Sequence, residues 1–91
     1  MNPVLSIVVT AHNAEKTLER TLDSIVKAIS PGEDACEIVI INDASEDGTS
    51  RIISEFAVKN VALTRYYEVS FRNIGLVRNF AVRHCLGDYI T

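Results

Sequence analysis

The chain has little or none of several residue types on which common protein classes depend. Its 91 residues include no tryptophan, two prolines, four glycines and two cysteines. No apolar run approaches the roughly 18 residues that a membrane-spanning helix needs. Cys36 and Cys85 are not spaced as a CxxC pair, so we expect free thiols in a reducing compartment and predict a cytoplasmic location.

The charges are neither numerous nor clustered. Nine lysine and arginine residues stand against twelve aspartates and glutamates, and the net charge is −3. A nucleic-acid backbone or an anionic membrane surface requires clustered positive charge, so neither is expected as the main partner. With 47% hydrophobic and 23% charged residues, the composition indicates one small globular domain or part of a larger one.

Hydrophobic patterning predicts alternating strands and helices. Four runs are typical of strands: residues 4–10 (from Val4), 37–42, 61–69 and 88–91 (from Asp88). The first two runs are apolar enough to be buried on both faces, whereas the third is mixed and suits an edge position. Apolar residues at helical spacing fill the intervals, and the first helix is predicted to stop at residues 30–32 and the second near Asn60.

The order βαβαβαβ predicts an α/β fold with a parallel sheet, right-handed crossovers and helices on both faces. Two apolar strands followed by a polar one fit the spatial order 3-2-1, with the fourth strand beyond the first. Ligands bind such sheets outside the carboxyl ends of the strands. The loops at 10–13 and 42–47 both lie there, which makes them the candidate site loops.

The scarcity of glycine excludes two common nucleotide-binding loops. A dinucleotide-binding fold needs a glycine-rich turn after its first strand, where the pyrophosphate approaches the backbone. That turn reads TAHNAEK here, and no GxxxxGK(S/T) phosphate loop occurs in the chain. An oxidoreductase is therefore a weak alternative, although Asp43 lies where a ribose-binding acid would.

The loop after the second strand, Asn42 to Asp47, holds three carboxylates, an amide and a hydroxyl. Carboxylates at a helix start repel phosphate, so the loop suits hydrogen-bond donors, such as a base N–H or sugar hydroxyls, or a cation. We interpret Ser45 as the N-cap of the second helix, with Glu46 and Asp47 in its first turn. Asp43 is the candidate ligand contact, with an Asx-turn as the alternative.

Other polar residues near these loops have competing interpretations. Asn13 is expected to cap the first helix rather than contact a ligand. His12 either stacks on a flat ring or has no role. Arg78, on the second turn of the third helix, steadies Asp43, meets a phosphate, or is simply solvated.

The third helix is predicted to begin at Asn73, which caps it, and to place Gly87 as its C′ residue. His84, in its last turn, is expected at the surface. The apolar face is predicted to hold four residues: Val77, Phe80, Ala81 and Cys85.

Three segments stand in one order along the chain: LSIVVTAHNAEKTLERTLDSI, EIVIINDASEDGTSRII and RNIGLVRNFAVRHCLGDYI. Together they resemble family 2 glycosyltransferases with the GT-A fold. That family shows a strand ending in P-x-Y-N or a variant, a DDGSTDGT-like loop and a segment like N-x-G-x-x-x-x-R-N-x-A. The resemblance spans essentially all 91 residues. Thr10 and His12 stand where Pro and Tyr are common, and Asn42 replaces the first acid of the loop.

The resemblance implies an enzyme that transfers a sugar from a nucleotide-diphosphate sugar, often a UDP-sugar, to an acceptor in polysaccharide or glycoconjugate synthesis. Carried over by position, Thr10, His12 and Glu15 would border the nucleotide. Asp43 would accept the base N–H, and Arg78 would lie near the nucleotide. The fold implied is the Rossmann-like half of a GT-A domain.

The family's strand that begins like GDYIT continues into a D-x-D motif, which holds Mg²⁺ or Mn²⁺. Its general base and acceptor pocket follow later. Because the chain ends at Thr91, we expect residues 1–91 to be the N-terminal part of a nucleotide-sugar-binding domain, without catalytic residues or metal ligands. Alone it should be inactive and should self-associate, while membrane association of the full-length parent stays open. The alternative is a non-catalytic nucleotide-binding or interaction module.

Overall fold

A computed structural model describes residues 5–29, 36–87 and 89–90. Within them the elements alternate as predicted: β1 (Leu5–Ala11), α1 (Leu18–Ala28), β2 (Cys36–Asp43), α2 (Thr49–Lys59), β3 (Thr64–Val69), α3 (Ile74–His84) and β4 (Tyr89–Ile90). The predictions made for Val4, for the helix stop at 30–32, for Asp88 and for Thr91 lie outside the described residues.

The strands form one parallel sheet in the order β3-β2-β1-β4. This confirms the spatial order 3-2-1, the place of the fourth strand beyond the first, and the edge position of β3. The third strand begins at Thr64 rather than at Val61 because a turn precedes it, in which the Leu63 N–H donates to the Asn60 carbonyl at 3.2 Å.

The central strand β2 supplies the core on both faces of the sheet. Ile38 and Ile40 pack with residues of α1 and α2 on one face, and Val39 and Ile41 pack with residues of α3 on the other. All four are fully buried. Since side chains alternate along a strand, this double burial allows no slip in register. The predicted helices on both faces are confirmed, and Asp43 is held at the mouth of the strand.

The predicted cap of α1 is wrong. Thr17 is the N-cap residue and makes no side-chain cap hydrogen bond. Asn13 lies in the preceding loop with φ at 49°, and its Oδ1 accepts the Glu46 N–H at 2.7 Å. The amide joins two loops and therefore does not cap the helix.

The predicted start of α2 is also wrong. Gly48 is the N-cap residue, so Glu46 and Asp47 precede the first turn instead of lying in it. The Ser45 hydroxyl accepts a backbone N–H from the loop after β1 at 3.0 Å and does not cap. Asp47 still stabilises the helix start, because its Oδ1 accepts the Thr49 N–H at 2.9 Å.

The start of α3 is confirmed and its end is not. The Asn73 Oδ1 accepts a first-turn N–H at 3.1 Å. The helix ends at His84, and Gly87 is no C′ residue. A Cβ at Gly87 would lie 2.6 Å from the Ser6 Oγ, so glycine is needed for a close approach of two chain segments. His84 is half-buried with its ring stacked on Phe80 at 4.0 Å, which corrects its predicted surface position.

Cys36 and Cys85 are free thiols, as predicted. Burial raises the pKa of the Cys85 thiol above its ordinary value. Among the described residues, every helix is too short or too polar to cross a bilayer.

Candidate functional site

A cavity of about 470 Å³ opens at the carboxyl ends of β1 and β2 and at the start of α3. Its walls are Thr10, Ala11, His12, Asp43, Arg72, Asn73, Ile74 and Val77. Pockets of roughly 300–1,000 Å³ are the size that holds small ligands. The predicted residues Thr10, His12 and Asp43 come together in it, whereas Glu15 and Arg78 do not line it.

Asp43 lies at the mouth of β2 with 6% of its surface exposed. Its Oδ1 accepts two backbone N–H groups, from Phe71 at 2.8 Å and from Arg72 at 3.0 Å. Both donors belong to the loop after β3, so the alternative of a local Asx-turn is wrong. The second oxygen, Oδ2, has no hydrogen-bond donor among the described residues.

Two left-handed residues shape the backbone around this carboxylate. Ala44 and Arg72 both have φ at 51°. For residues other than glycine this conformation costs roughly 1–2 kcal/mol. Hydrogen bonds hold both positions, because the Ala44 N–H donates to the Val69 carbonyl at 2.8 Å and the Arg72 N–H donates to Asp43. Strain of this kind is typical of functional sites.

The His12 ring is fixed at the wall of the cavity. Its Nδ1 lies 2.5 Å from the Asp43 carbonyl oxygen. A carbonyl oxygen can only accept, so Nδ1 carries the proton. In the neutral ring Nε2 is then an acceptor, and the Asn13 Nδ2 lies 3.5 Å from it. The ring is oriented and exposed, which favours a ligand contact over the absence of a role.

Glu15 lies beside the helix that follows the second site loop. Its Oε2 accepts the Gly48 N–H at 2.9 Å, and its own N–H donates to the Asp47 Oδ2 at 3.2 Å. A Cβ at Gly48 would lie 2.6 Å from that Oε2, so glycine admits the contact. Glu15 therefore belongs to the support of the site rather than to its wall, and its contact with a nucleotide stays a prediction.

Arg78 is exposed and lines a second cavity of about 300 Å³ with Val8, Thr10, Ala81, Val82 and Ile90. It donates no hydrogen bond to Asp43, so the interpretation that it steadies this carboxylate is wrong. Thr10 borders both cavities, so the cavity that Arg78 lines adjoins the main one.

Arg72 is the wall residue that sequence reasoning missed. Its guanidinium lies 3.5 Å from the Glu46 Oε1, and both side chains are largely exposed. An exposed pair of this kind contributes little to stability, so the guanidinium is available to a ligand. Its position directly before the Asn73 cap was the available signal, because the loop before a helix at a sheet's carboxyl end faces the site.

A second polar cluster lies at the opposite, amino end of the strands. The Glu37 Oε2 accepts the Ser6 hydroxyl at 2.5 Å and the Leu86 N–H at 2.6 Å. Its Oε1 accepts two guanidinium N–H groups of Arg65, at 2.8 and 3.0 Å. Arg65 also donates to the Tyr67 hydroxyl at 2.8 Å and to the His84 carbonyl. The cluster ties three strands to the end of α3.

Burial and hydrogen bonding act in opposite directions on Glu37. Burial raises the pKa of its carboxyl group, but hydrogen bonds from Ser6, Leu86 and Arg65 outweigh this, and the pKa lies below its ordinary value. The group is therefore ionised at neutral pH and compensated. Sequence patterning did not single out Glu37 or its partners.

Known proteins resemble this chain over most of its length. A family model described as "Glycosyl transferase family 2" matches residues 6–91. Chondroitin synthase of Escherichia coli is 34% identical over 88 residues, which are 97% of this chain and 12% of that protein. Probable glycosyltransferase YdaM of Bacillus subtilis is 39% identical over 57 residues, which are 63% of this chain and 13% of that protein.

Two solved structures resemble this fold closely. The mannosyltransferase PcManGT of Pyrobaculum calidifontis, in complex with GDP-Man and Mn²⁺, superposes with a TM-score of 0.81 at 28% identity, over 93% of this chain and 25% of that chain. Staphylococcus aureus TarS in complex with UDP gives a TM-score of 0.81 at 25% identity, over 96% and 25%. The chain thus spans a small part of each relative's length. With the family match extending over residues 6–91, the chain belongs to glycosyltransferase family 2.

Proposed function

We propose that the main cavity binds the nucleotide of a nucleotide-diphosphate sugar, and that the protein carrying this chain transfers the sugar to an acceptor. The observation that carries the proposal is the half-satisfied carboxylate of Asp43. Its Oδ1 is saturated by two backbone N–H groups, while Oδ2 has no donor among the described residues. A base N–H would supply that donor through a charge-assisted hydrogen bond.

The same geometry suits uracil. Two N–H donors already occupy the Asp43 Oδ1, so Oδ2 is the oxygen available to a base. Uracil presents a single N–H and needs a single acceptor. A UDP-sugar is therefore the proposed donor, and TarS offers a relative that binds UDP.

The other wall residues have roles in the same proposal. His12 supplies a flat, fixed ring on which the base stacks. Thr10 lies between the two cavities, so a ligand that extends past Thr10 reaches Arg78, whose guanidinium meets a phosphate. Glu15 borders the nucleotide only if the ligand also extends toward α2.

A divalent cation is part of the proposal for the whole protein, because the complex of PcManGT contains Mn²⁺. The described residues of this chain do not fit such an ion. No group of three or more histidine, cysteine, aspartate or glutamate side chains among them could hold a metal. Ligands for Mg²⁺ or Mn²⁺ are therefore expected outside the described residues, as are the residues that activate the acceptor, and the 91-residue chain alone is expected to transfer no sugar.

Two further expectations concern the surroundings of the chain. Three apolar side chains near the end of the chain are exposed, Val82, Leu86 and Ile90, and Ile90 lies in the short strand β4; their exposure supports self-association of the isolated 91 residues. Light scattering would measure it. The cytoplasm is the proposed location, and the acceptor is not identified.

Calorimetric titration of the full-length protein with UDP and with GDP tests the proposed function. We expect UDP to bind more tightly than GDP, and Asp43→Ala to weaken UDP binding by roughly one to two orders of magnitude while the fold is kept. Asp23→Ala, an exposed carboxylate on α1, is the matched control and should leave binding unchanged. An Asp43→Ala protein with unchanged affinity would reduce Asp43 to a structural residue.

The alternative is a non-catalytic nucleotide-binding or interaction module. A sugar-transfer assay on the full-length protein, with UDP-sugars and Mn²⁺, separates the two. Turnover supports the enzyme, whereas tight nucleotide binding without any transfer supports the module.

A further inference from the structure

The two site loops are joined by reciprocal hydrogen bonds. In the first pair, the Asn13 N–H donates to the Ser45 Oγ at 3.0 Å, and the Asn13 Oδ1 accepts the Glu46 N–H at 2.7 Å. Each loop thus gives one backbone donor and one side-chain acceptor to the other. Asn13 makes both hydrogen bonds from a left-handed backbone conformation, with φ at 49°.

A second pair repeats the arrangement two residues further along each loop. The Glu15 N–H donates to the Asp47 Oδ2 at 3.2 Å, and the Glu15 Oε2 accepts the Gly48 N–H at 2.9 Å. We call these two reciprocal pairs the loop lock; its members are Asn13, Glu15, Ser45, Glu46, Asp47 and Gly48.

Thr49 fastens the loop lock to α2. Its hydroxyl accepts the Ala14 N–H at 2.8 Å and donates to the Asp47 Oδ1. The side chain of Thr49 is fully buried. Its hydrogen bond to Asp47 is the main cause that lowers the pKa of that carboxyl group, so Asp47 is an ionised acceptor at neutral pH.

The loop lock and Thr49 together occupy five backbone donors of the two loops. The N–H groups of Asn13, Ala14, Glu15, Glu46 and Gly48 all have side-chain acceptors in it or beside it. These donors are therefore not available to the phosphates of a ligand. Of the polar side chains in the second loop, those of Ser45 and Asp47 serve the loop lock.

The wall residues of the cavity adjoin the loop lock directly. His12 precedes Asn13, and Asp43 precedes the turn that leads to Ser45. On the side of the cavity, the His12 Nδ1 donates a hydrogen bond to the Asp43 carbonyl oxygen at 2.5 Å. The His12 ring and the Asp43 carboxylate are thus held relative to each other by this hydrogen bond and by those of the loop lock.

We infer that Asn13, Glu15 and Asp47 are positioning residues, which hold His12 and Asp43 in the geometry that receives the nucleotide without touching the nucleotide themselves. This inference rests on the proposed function. A site whose loops are ordered before binding avoids the entropy cost of ordering them in the complex. The loop lock joins the two loops by hydrogen bonds within the chain itself.

Two variants of Glu15 separate positioning from direct contact. Glu15→Gln removes the charge and keeps a carbonyl oxygen that can accept the Gly48 N–H. Glu15→Ala removes the acceptor as well. If Glu15 acts through the loop lock, Gln restores what Ala loses; if its charge contacts the nucleotide, the two variants behave alike. Glu19→Ala is the control, since Glu19 is an exposed carboxylate on α1 outside the loop lock.

The experiment measures two quantities on the full-length protein: affinity for UDP by calorimetry, and hydrogen exchange of the Gly48 amide by NMR. Loss of one hydrogen bond in Glu15→Ala should speed Gly48 exchange and weaken UDP binding, each by about fivefold to tenfold. Glu15→Gln and Glu19→Ala should stay within about twofold of the parent on both measures.

Three outcomes would overturn the inference. Equal loss of affinity in Glu15→Gln and Glu15→Ala would assign Glu15 to the nucleotide. Faster Gly48 exchange in Glu15→Ala with unchanged affinity would make the loop lock purely structural. A parent protein that binds neither UDP nor GDP would overturn the proposed function and this inference together, and the exchange data would show whether the loop lock itself exists.

Discussion

Two carboxylates on β2 are equally buried and differ in how they are satisfied. Glu37 and Asp43 lie near opposite ends of the strand, on the same face by alternation, and each is 6% exposed. Both oxygens of Glu37 accept hydrogen bonds, and Arg65 adds a positive charge. Only Oδ1 of Asp43 has donors among the described residues, and none of them is a cationic side chain.

The difference teaches that burial alone does not reveal whether a carboxylate is fully hydrogen-bonded within the fold. A fully paired and neutralised group stabilises the fold and has nothing left to offer a ligand. A group that is fixed through one oxygen and unsatisfied at the other is held ready for a donor. Replacement of each carboxylate by its amide should therefore affect different properties. Glu37→Gln should lower stability, whereas Asp43→Asn should lower affinity for the nucleotide.

The largest effect is expected from Glu37→Gln, measured by urea unfolding. The substitution removes the negative charge and replaces one acceptor oxygen with an NH₂ group. The Arg65 guanidinium and the Leu86 N–H then lack a full set of acceptors. Because the Arg65 side chain is 34% exposed, solvent screens part of the loss, and we expect about 3 kcal/mol, the low end for a broken buried pair. UDP affinity of the folded variant should not change. A loss below about 0.5 kcal/mol would show that the cluster is not a stabilising one.

The complementary change is Asp43→Asn, measured by calorimetry with UDP. The amide keeps an oxygen for the Phe71 and Arg72 N–H groups and replaces Oδ2 with an amino group, which repels a base N–H. Affinity should fall by roughly one to two orders of magnitude, or about 1.5–3 kcal/mol, with little change in the free energy of unfolding. If stability fell as far as in Glu37→Gln while UDP binding persisted, the two ends would not differ as described.

A smaller effect on stability should come from relieving the backbone strain at Ala44, which follows the carboxyl end of β2. Ala44→Gly relieves a left-handed backbone, with φ at 51°, and should raise the free energy of unfolding by about 0.5–1 kcal/mol after the entropy cost of glycine. Ala57→Gly, inside α2, is the matched control and should lower it by about 0.5–1 kcal/mol. Thermal unfolding of both variants measures the sign. The same sign in both would exclude strain at Ala44.

The smallest effect is the contribution of Glu37 to the slope with which the free energy of unfolding changes with pH. The pKa of Glu37 in the folded chain lies below its ordinary value of 4.5, so its contribution is present above pH 4.5 and is lost as pH falls through the folded pKa. Unfolding by urea at a series of pH values should show a flatter acid limb for Glu37→Gln than for the parent. Glu19→Gln, at an exposed position, should keep the parent's slope.

Local patterning predicted the frame of the molecule and the place of Asp43. Apolar runs and helical spacing are patterns among residues that are close together in the sequence, so they can be recognised without the structure. A strand buried on both faces also tolerates no shift in register. These signals suffice for the strand order and for the residue that leaves β2 at its carboxyl end. The same reasoning placed the loops at 10–13 and 42–47 at one edge of the sheet, where Thr10, His12 and Asp43 line one cavity.

The errors at Asn13, Ser45 and His84 share one physical cause. Asn13 and Ser45 are good caps by local preference, but each bonds to the other loop instead. The same holds for His84, which local patterning predicts at the surface and which packs on Phe80. Side chains that bridge distant segments leave no period in the sequence, so capping preference is the only local signal, and tertiary contacts override it.

Gly87 lies where the chain leading into the last strand passes against β1. β4 pairs with Leu5 and Ser6 of β1, next to the point where Gly87 crosses the Ser6 backbone and a Cβ would lie 2.7 Å from the Ser6 nitrogen. A methyl group at this position requires Gly87 and Ser6 to move apart beside the β1–β4 pairing, while the pairing of β1, β2 and β3 does not involve it. Gly87→Ala should therefore weaken the pairing of the last strand with β1 and leave that edge of β1 more open to a strand supplied by another molecule.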